Sequence, residues 1–216
     1  MTLLLPPLLL LTGYLLGSIP SGWLTGHWLA GIDIRTQGSG STGATNVLRV
    51  VGKGPALAVF LVDVLKGTAA VVLARWLLTP AGAPGPDWVV DGWVVAAGLA
   101  ALAGHIWPVW LGWKGGKAVA TGLGMLLGLA WPVGLACFGI FLTVLTFSRI
   151  VSLSSVVAAL ALPPLMLGWF GSGGPRPAYL ALAVLTTVLV VWRHRSNLQR
   201  LLAGNEPRLG EKREPA

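Results

Sequence analysis

Three glycine-bearing stretches combine cations with hydroxyl, amide or imidazole side chains. The first, GIDIRTQGSGSTGATNVLRVVGKG over 31–54, sets Gly38, Gly40 and Gly43 among Ser39, Ser41, Thr42, Thr45 and Asn46, with Arg49 following. Glycines let successive backbone N–H groups converge on an anion, hydroxyls and amides add hydrogen bonds, and arginine grips phosphate with two prongs. The glycines satisfy G-x-G-x-x-G, and 38–45 nearly satisfies the P-loop pattern, with Ala44 where its lysine belongs. Both patterns need a preceding strand in an α/β unit, whereas an apolar helix precedes this loop. Two readings remain: a phosphate or carboxylate site, or a flexible loop with a helix cap at Thr45 or Asn46. The density of polar side chains favours the anion site.

The second stretch, GHIWPVWLGWKGGKAVATGLG over 104–124, puts Lys114 and Lys117 around Gly115 and Gly116, directly before a helix. A helix N-terminus with lysines attracts anions, although Trp and Lys also anchor membrane boundaries. His105 reads better as a packing histidine than as a chemical one. The third stretch, RHRSNLQRLLAGNE over 193–206, places His194 and Asn197 on one face if the helix persists, as a base and an oxyanion or positioning donor. The alternative is a basic segment, Arg195 included, that binds lipid headgroups. No cluster of His, Cys and carboxylates has ligand spacing, so neither metal nor cofactor is expected.

These stretches interrupt a strongly apolar chain. Of 216 residues, 55% are hydrophobic and 10% charged, and the mean hydropathy is +0.77. A helix crosses the ~30 Å hydrocarbon layer with about 20 apolar residues. Helices are expected near 3–29, 55–78 and 88–106, then as two short tilted spans, 118–130 and 132–147, on either side of Trp131-Pro132. Further spans run from 148 to about 170 and from 178 to 192, with turns at 79–87 and at GSGGPRP. The opening, without a basic stretch or cleavage site, reads as a retained helix. The fold expected is an all-α polytopic membrane bundle of about seven helices, one domain over 1–216.

With the N-terminus outside and the C-terminus cytoplasmic, most Lys and Arg residues lie inside, and Arg75 and Arg176 near the outside. The same parity gathers all three polar stretches in one compartment. Merging the fourth and fifth spans would scatter them, so seven crossings, or a re-entrant pair in that place, fit a shared site. Asp63 and Lys66, three apart in an apolar helix, are expected to pair. Gly13/Gly17, Gly22/Gly26 and Gly124/Gly128 suit close helix packing, and Cys137 a small buried hydrophobe.

In this order, GSGSTGATNVLR, the 104–124 stretch and RHRSNLQRLLAGNE resemble the three motifs of the bacterial acyl-phosphate:glycerol-3-phosphate acyltransferases, the PlsY family, as do LLGSIPSG and VDVLKG elsewhere. The resemblance implies a seven-helix inner-membrane enzyme of phospholipid biosynthesis. It would move an acyl group from acyl phosphate to the 1-hydroxyl of glycerol 3-phosphate, giving lysophosphatidic acid. It implies substrate or catalytic roles for Ser39, Thr45, Asn46, Arg49, Ser155, His194 and Asn197, glycerol 3-phosphate binding by Lys117 with Gly115 and Gly116, and a structural role for Glu206. Where relatives commonly carry Asn, this chain has Ser41-Thr42, so the resemblance does not carry an amide contact to Ser41, where a hydroxyl is the available substitute. Nucleic acid is not expected as a partner, and the protein is expected to act as a monomer. The rival classes are a transporter of phosphorylated solutes and a lipid-binding assembly protein; no internal repeat supports the former.

Overall fold

The computed structural model describes residues 4–79, 87–170 and 176–211, which are helical and turn-like with no strand among them. The expected turns at 79–87 and GSGGPRP lie almost entirely outside the described residues. In chain order the helices are α1 (Leu5–Ser18), α2 (Ser21–Ala30), α3 (Ala44–Val50), α4 (Lys53–Leu78), α5 (Asp87–Ile106), α6 (Val119–Ser148), α7 (Val151–Phe170), α8 (Pro177–Arg193) and α9 (Arg195–Leu202). By length and composition five spans can cross a membrane, α1 and α2 counting as one, or six if the bent α8–α9 pair is one more. The chain is a multi-pass membrane protein, and its large exposed apolar residues, such as Leu8, Leu57, Leu65 and Leu160, suit a lipid solvent.

Small residues set the helix spacing. Side chains at Gly13 and Gly17 of α1 would meet the backbone of Ala97 and Ala101 on α5, and one at Gly124 of α6 would meet that of Val64 on α4. Backbones this close gain the dispersion contacts that hold helices together in lipid. The expected first helix is broken at Ile19 and Pro20, because the residue before proline is driven out of the helical region.

The fourth and fifth expected spans form one 30-residue helical run with non-helical Ala130 (φ −149°, ψ 76°) inside it. Pro132 supplies no N–H and crowds the carbonyl four residues back, that of Gly128. Arg75 takes up the freed acceptors, its guanidinium lying 3.2 Å from both Gly128 O and Leu129 O. The chain doubles back there. A Cβ on Gly134 would lie 3.1 Å from the nitrogen of Leu127, and Val119 and Phe141 line the same cavity, whereas a straight helix would separate them by about 33 Å. The apex lies beside Arg75, Asp91, Arg176 and Tyr179 at one end of the bundle. The three polar stretches occupy the other.

Candidate active site

The first polar stretch is more ordered than a linker. It contains a 3-10 turn at Ile34–Thr36 and then α3, and Asn46 staples it. The Asn46 amide nitrogen donates to the carbonyls of Ile34, Gln37 and Ser41 at 2.9–3.0 Å, and its Oδ1 accepts the Ser39 N–H at 2.8 Å. Gly38 (φ +57°) packs directly on that oxygen, where a side chain would collide. The helix cap is Gly43 rather than Thr45 or Asn46, and the Ser41 hydroxyl accepts from the Gly43 N–H. Arg35 joins this loop to the second stretch by donating to Leu111 O at 2.9 Å.

The tail corrects one premise of the sequence reading. The last helix does not run straight through the third motif: α9 leaves α8 at 58°, and His194 is the break, with φ −99° and ψ 7°. Its Nδ1, 2.8 Å from Val190 O, shares that carbonyl with the residue's own backbone N–H at 3.0 Å. Because a carbonyl only accepts, Nδ1 carries the proton and Nε2 keeps the lone pair. Beyond α9 the chain returns to the α6–α7 turn, where the Leu209 N–H donates to Arg149 O at 2.7 Å.

That return buries Glu206 at the centre of a network. Its Oε1 accepts from Ser152 Oγ at 2.8 Å and Asn197 Nδ2 at 2.6 Å, and its Oε2 from Arg200 Nε at 2.8 Å. Asn197 Oδ1 accepts from Lys117 Nζ. Burial pushes the Glu206 carboxyl up, but its hydrogen bonds from Asn197, Ser152 and Arg200 outweigh this and hold it below the ordinary range. Lys117 is lowered as well, but by burial itself. Desolvation, reinforced by Arg200, Arg49 and Arg193 and opposed by Glu206, lowers it to about 8. Desolvation and the Lys117 charge lower His194 to about 4, so it is neutral near pH 7.

These groups surround a cavity of about 130 Å³. It brings together Ser39, Gly43, Thr45, Asn46, Arg49, Lys117, Ser155, His194 and Asn197 from all three stretches and α7, with Ser152 and Glu206. Gly38, Gly40, Lys114, Gly115, Gly116 and Arg195 do not line it. Gly40, Lys114 and Gly115 border a neighbouring recess with Arg35 and Arg193, Gly116 packs on His105, and Arg195 lies over the Trp192 ring at 5.0 Å. The cavity wall also holds Asp63 and His105. The expected Asp63–Lys66 pair is present at 2.9 Å and buried; that it borders the site is new, and the VDVLKG segment was the one signal for it. Phe60, Ala118, Val119, Ala120, Phe141 and Ser155 belong at once to this cavity and to an apolar one of about 80 Å³ lined by Leu123, Leu126, Cys137, Phe138, Leu162 and Thr186.

Residues 7–204 match the sequence pattern of the family described as glycerol-3-phosphate acyltransferase. The chain belongs to that family. It is similar to the glycerol-3-phosphate acyltransferases of Prochlorococcus marinus (strain MIT 9313), 74% identical over 94% of each chain, and Synechococcus sp. (strain CC9902), 65% identical over 95% of this chain and 96% of the relative. Its fold is similar to the crystal structure of PlsY (YgiH), an integral membrane glycerol 3-phosphate acyltransferase, in its glycerol 3-phosphate form: TM-score 0.82, 38% identity, 95% of this chain and 96% of that one. The lysophosphatidic acid form gives a TM-score of 0.79 at 37% identity, over 95% of each chain. The enzyme is thus an acyltransferase acting within a membrane.

Proposed function

We propose that this enzyme transfers a fatty acyl group from acyl phosphate to the sn-1 hydroxyl of glycerol 3-phosphate, giving 1-acyl-glycerol 3-phosphate and phosphate, the first acylation of phospholipid biosynthesis. The observation that carries the reading is the shared wall between a cation-bearing cavity and an apolar one. One suits phosphate and polyol, the other an acyl chain, and they meet where an acyl carbonyl would join the two.

Lys117 and Arg49 bring positive charge to the substrate phosphates, with hydroxyls of Ser39 and Thr45 beside them. Asn197 holds Lys117 in place through its Oδ1, its amide nitrogen being committed to Glu206. The glycerol hydroxyl donates to Nε2 of His194, which orients it. Its oxygen attacks the acyl carbon, the bond to the phosphate oxygen breaks, and phosphate leaves with the electron pair. An imidazole at about 4 is a weak base, whereas a phosphate monoester with a second pKa of about 6 is a better acceptor, so the proton ends on phosphate. An already activated acyl donor needs alignment and charge stabilisation above all.

The enzyme is read as a monomer of the bacterial inner membrane, one domain over 1–216. The chain passes seven times when the two arms of α6 are counted separately, with the N-terminus outside and the polar stretches cytoplasmic. Purified protein given acyl phosphate and labelled glycerol 3-phosphate should form labelled lipid; uptake of the label into liposomes without product would instead make it a transporter.

A further inference from the structure

We propose that His105, seated on Asp63 and Thr121, is a positioning residue that fixes Lys117 in the glycerol 3-phosphate site; this rests on the reading of Lys117 given above. His105 is 6% exposed and Asp63 1%. The histidine Nδ1 lies 3.2 Å from Thr121 Oγ1 on α6 and 3.6 Å from Asp63 Oδ1 on α4. Asp63 is itself fixed by Ser21 Oγ at 2.7 Å and Lys66 Nζ at 2.9 Å, and Lys66 donates to Ile19 O at the α1–α2 break. Four helices therefore set the ring.

The other side of the ring carries the second motif. The Gly116 N–H donates to His105 O at 3.1 Å and the Gly115 N–H to Ile106 O at 3.0 Å. A Cβ on Gly116 would collide with Nε2 of His105, so the glycine is dictated by the imidazole beneath it rather than by an anion above it. Arg193 closes the segment by donating to Gly116 O at 2.9 Å. Lys117 is the next residue, and its ammonium reaches Asn197 from this fixed backbone.

The test is steady-state kinetics with both substrates varied. Gly116→Ala is expected to raise KM for glycerol 3-phosphate about tenfold to a hundredfold, as loss of one hydrogen bond to a charged group does, with kcat and KM for acyl phosphate little changed. His105→Asn keeps a nitrogen towards Thr121 and removes the atoms that meet the new methyl. The double variant His105→Asn with Gly116→Ala is therefore expected to recover most of the Gly116→Ala loss. Thr121→Val, nearly isosteric, gives a smaller rise in the same KM and serves if the others fail to fold. No recovery in the double variant, or both KM values rising together, overturns the inference. Lys117→Met separates the two claims: an unchanged KM for glycerol 3-phosphate there refutes the role of Lys117, whereas a raised KM there with unaffected Gly116 and Thr121 variants refutes the positioning role alone.

Discussion

Lys117 donates to the Oδ1 of Asn197, and the amide nitrogen of the same asparagine donates to Glu206. The amide separates a cation from a carboxylate that would otherwise pair with it. It leaves the ammonium steered and still available to a phosphate, because among the described residues only one of its three donors is spent.

If Lys117 binds the substrate phosphate, activity should depend on pH in the alkaline range. Its pKa is lowered to about 8, so the free enzyme carries the charge below pH 8 and loses it above. The ratio kcat/KM for glycerol 3-phosphate should fall as pH rises through about 8. Lys117→Arg, always charged, should remove that alkaline limb while lowering the ratio overall. A profile for the variant that still falls at pH 8 would assign the limb elsewhere.

His194 should act on turnover, not on binding. His194→Ala is expected to lower kcat by about a hundredfold or more, with glycerol 3-phosphate affinity by calorimetry nearly unchanged. His194→Gln, whose side-chain oxygen can occupy the place of Nε2, should regain part of the loss if the imidazole orients the hydroxyl. Equal losses in both variants would favour a proton-accepting imidazole, and lost binding with residual catalysis at saturation would refute both roles.

Glu206 is a structural hub. It joins α7 through Ser152 to α9 through Asn197 and Arg200. Glu206→Ala strands buried donors and should cost about 2–3 kcal/mol, read as a lower thermal midpoint in detergent, with kcat/KM reduced through the released Asn197. An unaltered midpoint would show that the network contributes little.

The doubled-back α6 predicts which residues share a side. In a Cys137→Ala background, cysteine at Trp131 should react with an impermeant thiol reagent added outside, and cysteine at Lys114 only after the membrane is opened. Labelling of both from one side would refute the hairpin.

Much of this arrangement is legible in the sequence because lipid leaves few options. Apolar runs must be helices, and the cations of three stretches mark one end. The pairing of Asp63 with Lys66 follows from the cost of an isolated charge. Other features depend on contacts between distant segments. Nothing local at His194 signals a bend, where the Val190 carbonyl is shared by the ring and the backbone N–H of the same residue. Gly115 and Gly116 look like an anion cradle in sequence, yet His105 dictates the second of them. Gly38 likewise serves Asn46. The division of α6 at Trp131-Pro132 is legible in the sequence, whereas the closeness of its two arms rests on contacts such as that of Gly134 with Leu127 and on the cavity shared by Val119 and Phe141.

The most direct measurement compares donors in one purified preparation, with glycerol 3-phosphate as acceptor and the product's acyl position read by NMR. Acyl phosphate should give 1-acyl-glycerol 3-phosphate with one inorganic phosphate released per lipid formed, while acyl-CoA and acyl carrier protein give none. Equal rates from acyl-CoA, or acylation at the 2-hydroxyl, would contradict the account.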